Sequence, residues 1–134
     1  MHRISMIEGI GPTYQRRLDG SGIHTTEDLL TMCKKRSSRH HLADDTGISE
    51  KMILRWTNHA DLFRIKGIGE EYADLLEAAG IDTVPELARR NPEHLYEALR
   101  LVNEDKRLVK KIPSQNQIHH WVLEAKVLPR MITY

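Results

Sequence analysis

Apolar residues along this chain recur at three- and four-residue spacing, separated by short polar links that carry glycine and proline. That period lays one apolar stripe along each helix, whereas a half-buried strand would alternate apolar and polar positions. The stripe Met52, Ile53, Trp56, Ala60 and the stripe Ile118, Trp121, Val122, Ala125 each predict a helix. Ser49 and Ser114 precede them and suit the N-cap position, where a hydroxyl accepts from a free backbone amide. Tyr14, Arg17 and Leu18 follow Pro12 at helical spacing, and a proline in the first turn sacrifices no helical hydrogen bond. Gly22-Ile23 and Gly80-Ile81 suit a left-handed closing residue followed by an apolar residue folding back on the helix. Thr25 and Thr83, with Glu27, Asp28 and Glu86 in the turns that follow, mark helix starts, as does Asn91 before Pro92 and Glu93. No alternating pattern competes. The reading is an all-α protein of about eight to ten short helices, with residues 129–134 as a tail that is either docked or frayed.

The chain also matches itself. At an offset of 58 residues, Ile7, Gly9, Ile10, Gly11, Tyr14, Leu18, Gly22, Ile23, Thr25 and Leu29 fall on identical residues at Ile65, Gly67, Ile68, Gly69, Tyr72, Leu76, Gly80, Ile81, Thr83 and Leu87. Farther on, Ser49, Ile53, Trp56 and Ala60 meet Ser114, Ile118, Trp121 and Ala125 at an offset of 65, so the second copy carries an insertion. The expected organisation is one copy over residues 4–62, a second over 63–128, and the tail.

Composition narrows the function classes. The 134 residues hold 20 Lys+Arg and 19 Asp+Glu, a net charge of +1, and 40% are hydrophobic. Such a chain folds, is too short for a large multidomain enzyme, and lacks the overall basicity of a nucleic-acid coat. The lone Cys33 forms no internal disulfide, no apolar run is long enough to span a bilayer, and the amino terminus has no secretory apolar core. A reducing cytoplasm is the expected location, with no membrane partner. The eight histidines show no HExxH spacing and no ligand set for a metal, and Cys33 has no neighbouring base. An enzyme is therefore not expected. Trp56, Trp121, Tyr14 and Tyr72 read as core residues.

The chemistry-bearing element is Gly9-Ile10-Gly11, preceded by Ile7 and followed by a helix with Tyr14 and Leu18 on one face. This arrangement resembles the helix-hairpin-helix motif. Ile65, Gly67, Ile68 and Gly69 carry the same pattern, Gly47-Ile48-Ser49 is a degenerate third, and Lys111-Ile112-Pro113-Ser114 has lost the glycine. Over residues 4–128 the chain resembles a bacterial family of uncharacterised proteins built from tandem helix-hairpin-helix pairs. The resemblance implies two pseudo-symmetric units of four to five helices. It also implies sequence-independent binding of double-stranded or branched DNA. The amides of Gly11, Thr13 and Tyr14 would face a phosphate, Arg16 and Arg17 would add charge-assisted contacts, and Gly9 and Ile10 would shape and anchor the turn. A monovalent cation on the carbonyls of Ser5, Ile7 and Ile10 is the sole cofactor it implies. Contacts of this kind touch only the polymer backbone and ignore base sequence.

Two competing readings stand beside this. Hairpin glycines also serve simply to join helices at a sharp angle, and in the second copy Glu70, Glu71 and Asp74 replace Pro12, Thr13 and Arg16. Gly67, Ile68 and Gly69 are therefore the weaker candidates, since carboxylates repel a phosphate. The run Lys34, Lys35, Arg36, Arg39, His40, His41 supplies further cations. Lys106, Arg107, Lys110 and Lys111 are expected at the equivalent place in the second copy, although such runs also serve as solvated surface. Together with the first hairpin they would neutralise roughly three to five phosphates, giving a log-log salt slope of about −3 to −4.5. The alternative function is a protein-interaction or assembly adaptor whose acidic second hairpin meets a basic partner, a reading that the near-neutral charge favours. Neither reading assigns an oligomeric state.

Overall fold

Side-chain caps set most of the helix starts. The computed structural model describes residues 2–134, with a 3-10 turn at Ile4–Met6 and helices α1 (Pro12–Gly20), α2 (Thr26–Met32), α3 (Arg36–Thr46), α4 (Glu50–Leu62), α5 (Glu70–Ala78), α6 (Val84–Ala88), α7 (Pro92–Lys106) and α8 (Gln115–Val127). The protein is all-α: among the described residues the single extended pairing is an isolated bridge between Arg3 and Thr25. Thr25 and Ser114 form reciprocal capping boxes with Asp28 and Gln117, while Thr83 and Asn91 cap α6 and α7. The stops are equally local. The Ile23 amide donates to Leu18 at 2.9 Å and the Ile81 amide to Leu76 at 2.9 Å, with Gly22 at φ +82 and Gly80 at φ +88. No described helix is long and apolar enough to cross a membrane.

The molecule divides into two compact units, one comprising the chain through Asp61 together with Met131–Tyr134, the other Leu62–Arg130. In the first unit Ile4, Ile7, Leu18, Ile23, Leu29, Ile53 and Trp56 are all removed from solvent, and the 3-10 turn packs on α1. The last four residues are part of this unit and not a separate tail. Ile132 is buried, the Thr133 amide donates to the Lys34 carbonyl at 2.9 Å, and the Tyr134 hydroxyl reaches Asn58 Oδ1 at 3.0 Å.

In the second unit α8 packs against α6 and α7, and α5 against α7, around Leu75, Leu76, Leu87, Leu95, Leu99, Ile118 and Trp121. The insertion seen in the sequence is shared between a longer α7 and a longer link, residues 107–114, where the first unit uses 47–49 between α3 and α4. That link is fastened down. The Asn103 side chain brackets the backbone of buried Val109 with two 3.0 Å bonds, and the Tyr72 hydroxyl donates to the Lys111 carbonyl at 3.0 Å.

Candidate functional site

The Gly-Ile-Gly segments form tight turns with the same backbone. Gly9 has φ +94 and Gly67 φ +91, a region that side chains avoid, and the amides of Ile10 and Ile68 donate to Ile7 and Ile65 at 3.1 Å. An indole lies behind each turn. A Cβ on Gly9 would stand 3.5 Å from Trp56 Nε1 and 3.4 Å from Arg55 Nη1, and a Cβ on Gly67 would stand 3.2 Å from Trp121 Nε1. Tyr14 meets Trp56 at 5.3 Å between centroids and 60°, and Tyr72 meets Trp121 at 5.4 Å and 57°. The tryptophans are core residues as expected. The tyrosines, in the first turns of α1 and α5, are half-buried: the Tyr14 hydroxyl meets Met52 Sδ at 4.0 Å and the Tyr72 hydroxyl the Lys111 carbonyl.

Gly11 differs from Gly9. At φ −85 and ψ −176 its backbone is extended, a conformation open to any residue, and nothing approaches the space where a Cβ would sit. What its missing side chain does is leave α1 uncapped. Pro12 has no N–H, and the amides of Gly11, Thr13 and Tyr14 have no acceptor among the described residues. Gly11, Pro12 and Thr13 are exposed, as are Arg16 and Arg17; neither arginine has an acidic partner, and Arg17 lies 5.8 Å from the Tyr14 ring centroid. Ile10 is buried beneath the turn. Of the carbonyls that the resemblance offers to a monovalent cation, Ser5, Ile7 and Ile10, that of Ile7 accepts the Ile10 amide.

The remaining helix starts give this one its meaning. Helices α2, α6 and α7 combine a side-chain cap with an acid in the first turn, so both the free amides and the positive helix end are already satisfied. Helix α5 lacks a cap at Gly69 but carries Glu70 and Glu71. Of the three carboxylates Glu70, Glu71 and Asp74, Glu71 is exposed and the other two are half-buried. Helices α1 and α3 have neither cap nor acid; α3 carries cations at its start, whereas on α1 Arg16 stands one turn in and Arg17 in the last turn. At α3 these are Lys34, Lys35 and Arg36, all exposed and without an ion-pair partner.

Two members of that basic run are corrected by the structure. Arg39 is 3% exposed and turns inward, donating to the Cys33 carbonyl at 2.9 Å and the Thr133 carbonyl at 2.7 Å, with the Tyr134 ring at 6.0 Å. Its charge is spent holding the carboxy-terminal segment, because a buried guanidinium must be fully hydrogen-bonded. His40 lies between Glu50 and Asp44, and its hydrogen bond to Glu50, helped by the Asp44 charge, raises its pKa. The second basic run also occupies a different place from the first. Lys34 and Lys35 link the second and third helices of the first unit, whereas Lys106 ends the third helix of the second unit and Arg107, Lys110 and Lys111 lie in the link to its fourth.

Arg55 is in contact with the first turn, which its sequence position hardly suggests. From α4 it donates to the Glu8 carbonyl at 3.1 Å and so braces the Gly-Ile-Gly turn from behind. The sole sequence signal is its position next to Trp56 in the stripe.

Residues 8–128 match a family model described as a domain of unknown function. No curated protein and no solved structure matches the chain.

Proposed function

The chain belongs to that family, DUF4332, and we propose that it binds the phosphate backbone of double-stranded or branched DNA without reading base sequence. The observation that carries this reading is the start of α1. There, the backbone amides of Gly11, Thr13 and Tyr14 are unpartnered with neither cap nor acid, and the exposed Arg16 and Arg17 follow farther along the same helix. A helix N-terminus of this kind offers directed donors and a partial positive charge to an anion. Arg16 and Arg17 add guanidinium forks, whose geometry suits two N–H donors to one phosphate. Gly9 gives the turn its shape, Ile10 anchors it, and Arg55 with Trp56 stiffens it. The start of α3, with Lys34, Lys35 and Arg36, is the second cationic surface of the same unit. No contact in this set reaches a base edge, so affinity depends on salt and not on sequence.

In the finer architectural reading, the two units are tandem copies of a helix-hairpin-helix unit. The matched glycine conformations, the paired Tyr–Trp contacts and the threonine caps at Thr25 and Thr83 support it. The copies have diverged, with Gly67, Ile68 and Gly69 serving as scaffold beside Glu70 and Glu71.

Titration of random-sequence duplex and junction DNA at low and moderate salt tests the reading. Wild type binds saturably and more weakly as salt rises, and Arg16→Glu/Arg17→Glu loses the binding. A variant that binds as wild type refutes the assignment of the site.

One observation favours a second reading, an adaptor for a protein partner. Lys66, Gly67, His120, Trp121, Leu123 and Val127 line an open groove in the second unit, where Leu123 is 61% and Val127 79% exposed. Absence of any DNA binding at low salt would leave this reading in place.

A further inference from the structure

Helix α7 ends in a left-handed residue, as helices commonly do, but the residue is an arginine. Arg107 has φ 50 and ψ 49, and its amide donates to the Asn103 carbonyl at 2.8 Å. It is the sole non-glycine residue with positive φ among those described, alongside five glycines. Gly47 fills the corresponding role at the end of α3, with φ 72 and its amide donating to Ala43 at 2.9 Å. An L-residue with a Cβ is strained in this conformation and glycine is not. Strain kept where glycine would relieve it directs attention to the side chain.

That side chain belongs to a group. Lys106, Arg107, Lys110 and Lys111 are all exposed, and none has an ion-pair partner among the described residues. The nearby acid Glu104 is held by Arg100 at 2.9 Å, Asp105 immediately precedes the run, and residues 106–111 hold no acid. Four like charges on a short segment repel one another, and a flexible loop would spread them apart. This loop does not have that freedom, being pinned at Val109 by Asn103, at the Lys111 carbonyl by Tyr72, and by the burial of Val109 and Pro113. The backbone that carries these cations is fixed by the fold, and none of the four forms an ion pair among the described residues.

We infer that the 106–111 loop is a second anion-binding site, made of side-chain cations where the first site uses main-chain amides, and that its ligand is a run of nucleic-acid phosphates. The inference rests on the nucleic-acid reading given above. An acidic protein surface suits it less well, because stable protein interfaces need an apolar centre, and Leu108 is the sole exposed apolar side chain in the loop.

The full-length chain is titrated with random-sequence duplex DNA over a range of salt, comparing wild type, Lys106→Gln/Lys110→Gln/Lys111→Gln, Arg107→Gly, and Arg16→Glu/Arg17→Glu. The triple variant is expected to fold as wild type and to lower the magnitude of the log-log salt slope by about 2 to 3, since each phosphate contact contributes about 0.9. Arg107→Gly is expected to lower it by about 1 while raising the thermal midpoint, because it relieves the left-handed strain. An unchanged slope in the triple variant overturns the loop site, whatever Arg16→Glu/Arg17→Glu does. Loss of slope in the triple variant with wild-type behaviour in Arg16→Glu/Arg17→Glu keeps the loop and refutes the α1 site. No duplex binding by wild type at low salt overturns both. Polyglutamate that competes as well as DNA at equal charge overturns the choice of nucleic acid as ligand.

Discussion

The turn geometry makes a graded prediction for alanine substitutions at Gly11, Gly22, Gly9 and Gly67. Gly22 has φ +82 and open space around it, so Gly22→Ala costs only backbone strain, about 1 to 2 kcal/mol. About 0.4 to 1 kcal/mol of that is returned by the lower entropy of the unfolded chain. Gly9→Ala carries the same strain at φ +94, and its neighbours at 3.4 and 3.5 Å are ordinary contacts, so its net cost is similar. Gly67→Ala is worse. Its Cβ would lie 3.2 Å from Nε1 of Trp121, a ring only 2% exposed that must shift to make room, which adds about 0.5 to 1.5 kcal/mol for an off-rotamer displacement. Gly11→Ala has neither strain nor collision; alanine is the poorer N-cap by about 0.5 to 1 kcal/mol, and the same entropy return of about 0.4 to 1 kcal/mol brings the net cost near zero. Urea denaturation followed by tryptophan fluorescence and far-ultraviolet circular dichroism measures the series. The expected order of cost is Gly67, then Gly9 and Gly22 together, then Gly11. A Gly9→Ala protein more stable than wild type, or a Gly67→Ala no worse than Gly22→Ala, would refute the account of the turns.

Three further outcomes follow from buried or coupled groups. Trp56→Ala empties a fully buried site and removes the edge contact with Tyr14, costing about 3 to 5 kcal/mol in the same assay; a loss under about 1 kcal/mol would contradict the packing. Burial pushes the Cys33 thiol up to about 11, so it resists a disulfide reagent near pH 8 until the protein unfolds. Deleting residues 131–134, which removes a carbonyl acceptor of Arg39, is expected to speed that reaction. His40 has a raised pKa in the folded state, so its ionic contacts with Glu50 and Asp44 stabilise fully below the unfolded value of 6.5 and fade as pH rises through the folded value. His40→Ala is therefore expected to lower the thermal midpoint near pH 5 and to match wild type near pH 9. The opposite trend would contradict the pairing.

Local signals were legible in the sequence where local chemistry decides the outcome. The caps at Thr25, Thr83, Asn91 and Ser114 and the left-handed stops at Gly22 and Gly80 depend on residues within a turn of one another, and each lies where the pattern put it. The misplacements share a different cause. Arg39 reads as one more surface cation until a segment ninety-four positions later returns to accept its hydrogen bond. His40 reads as part of a basic run because Glu50 reaches it from the next helix. The left-handed end of α7 was invisible because an arginine occupies it, and the two basic runs looked equivalent because an insertion blurred which helices they join. Arg55 gave almost no signal, since a side chain bracing a distant carbonyl leaves no mark on spacing. The uncapped start of α1 was legible for the opposite reason: it consists of backbone that Gly11 and Pro12 leave open.

The substitution Gly11→Asp tests the central claim most directly. An aspartate there supplies the N-cap that α1 lacks and places a carboxylate on the amides of Thr13 and Tyr14, adding a few tenths of a kcal/mol to stability. Measured on one preparation, the account predicts a thermal midpoint equal to or above that of wild type together with loss of duplex DNA binding. Wild-type affinity in a correctly folded Gly11→Asp protein would contradict it.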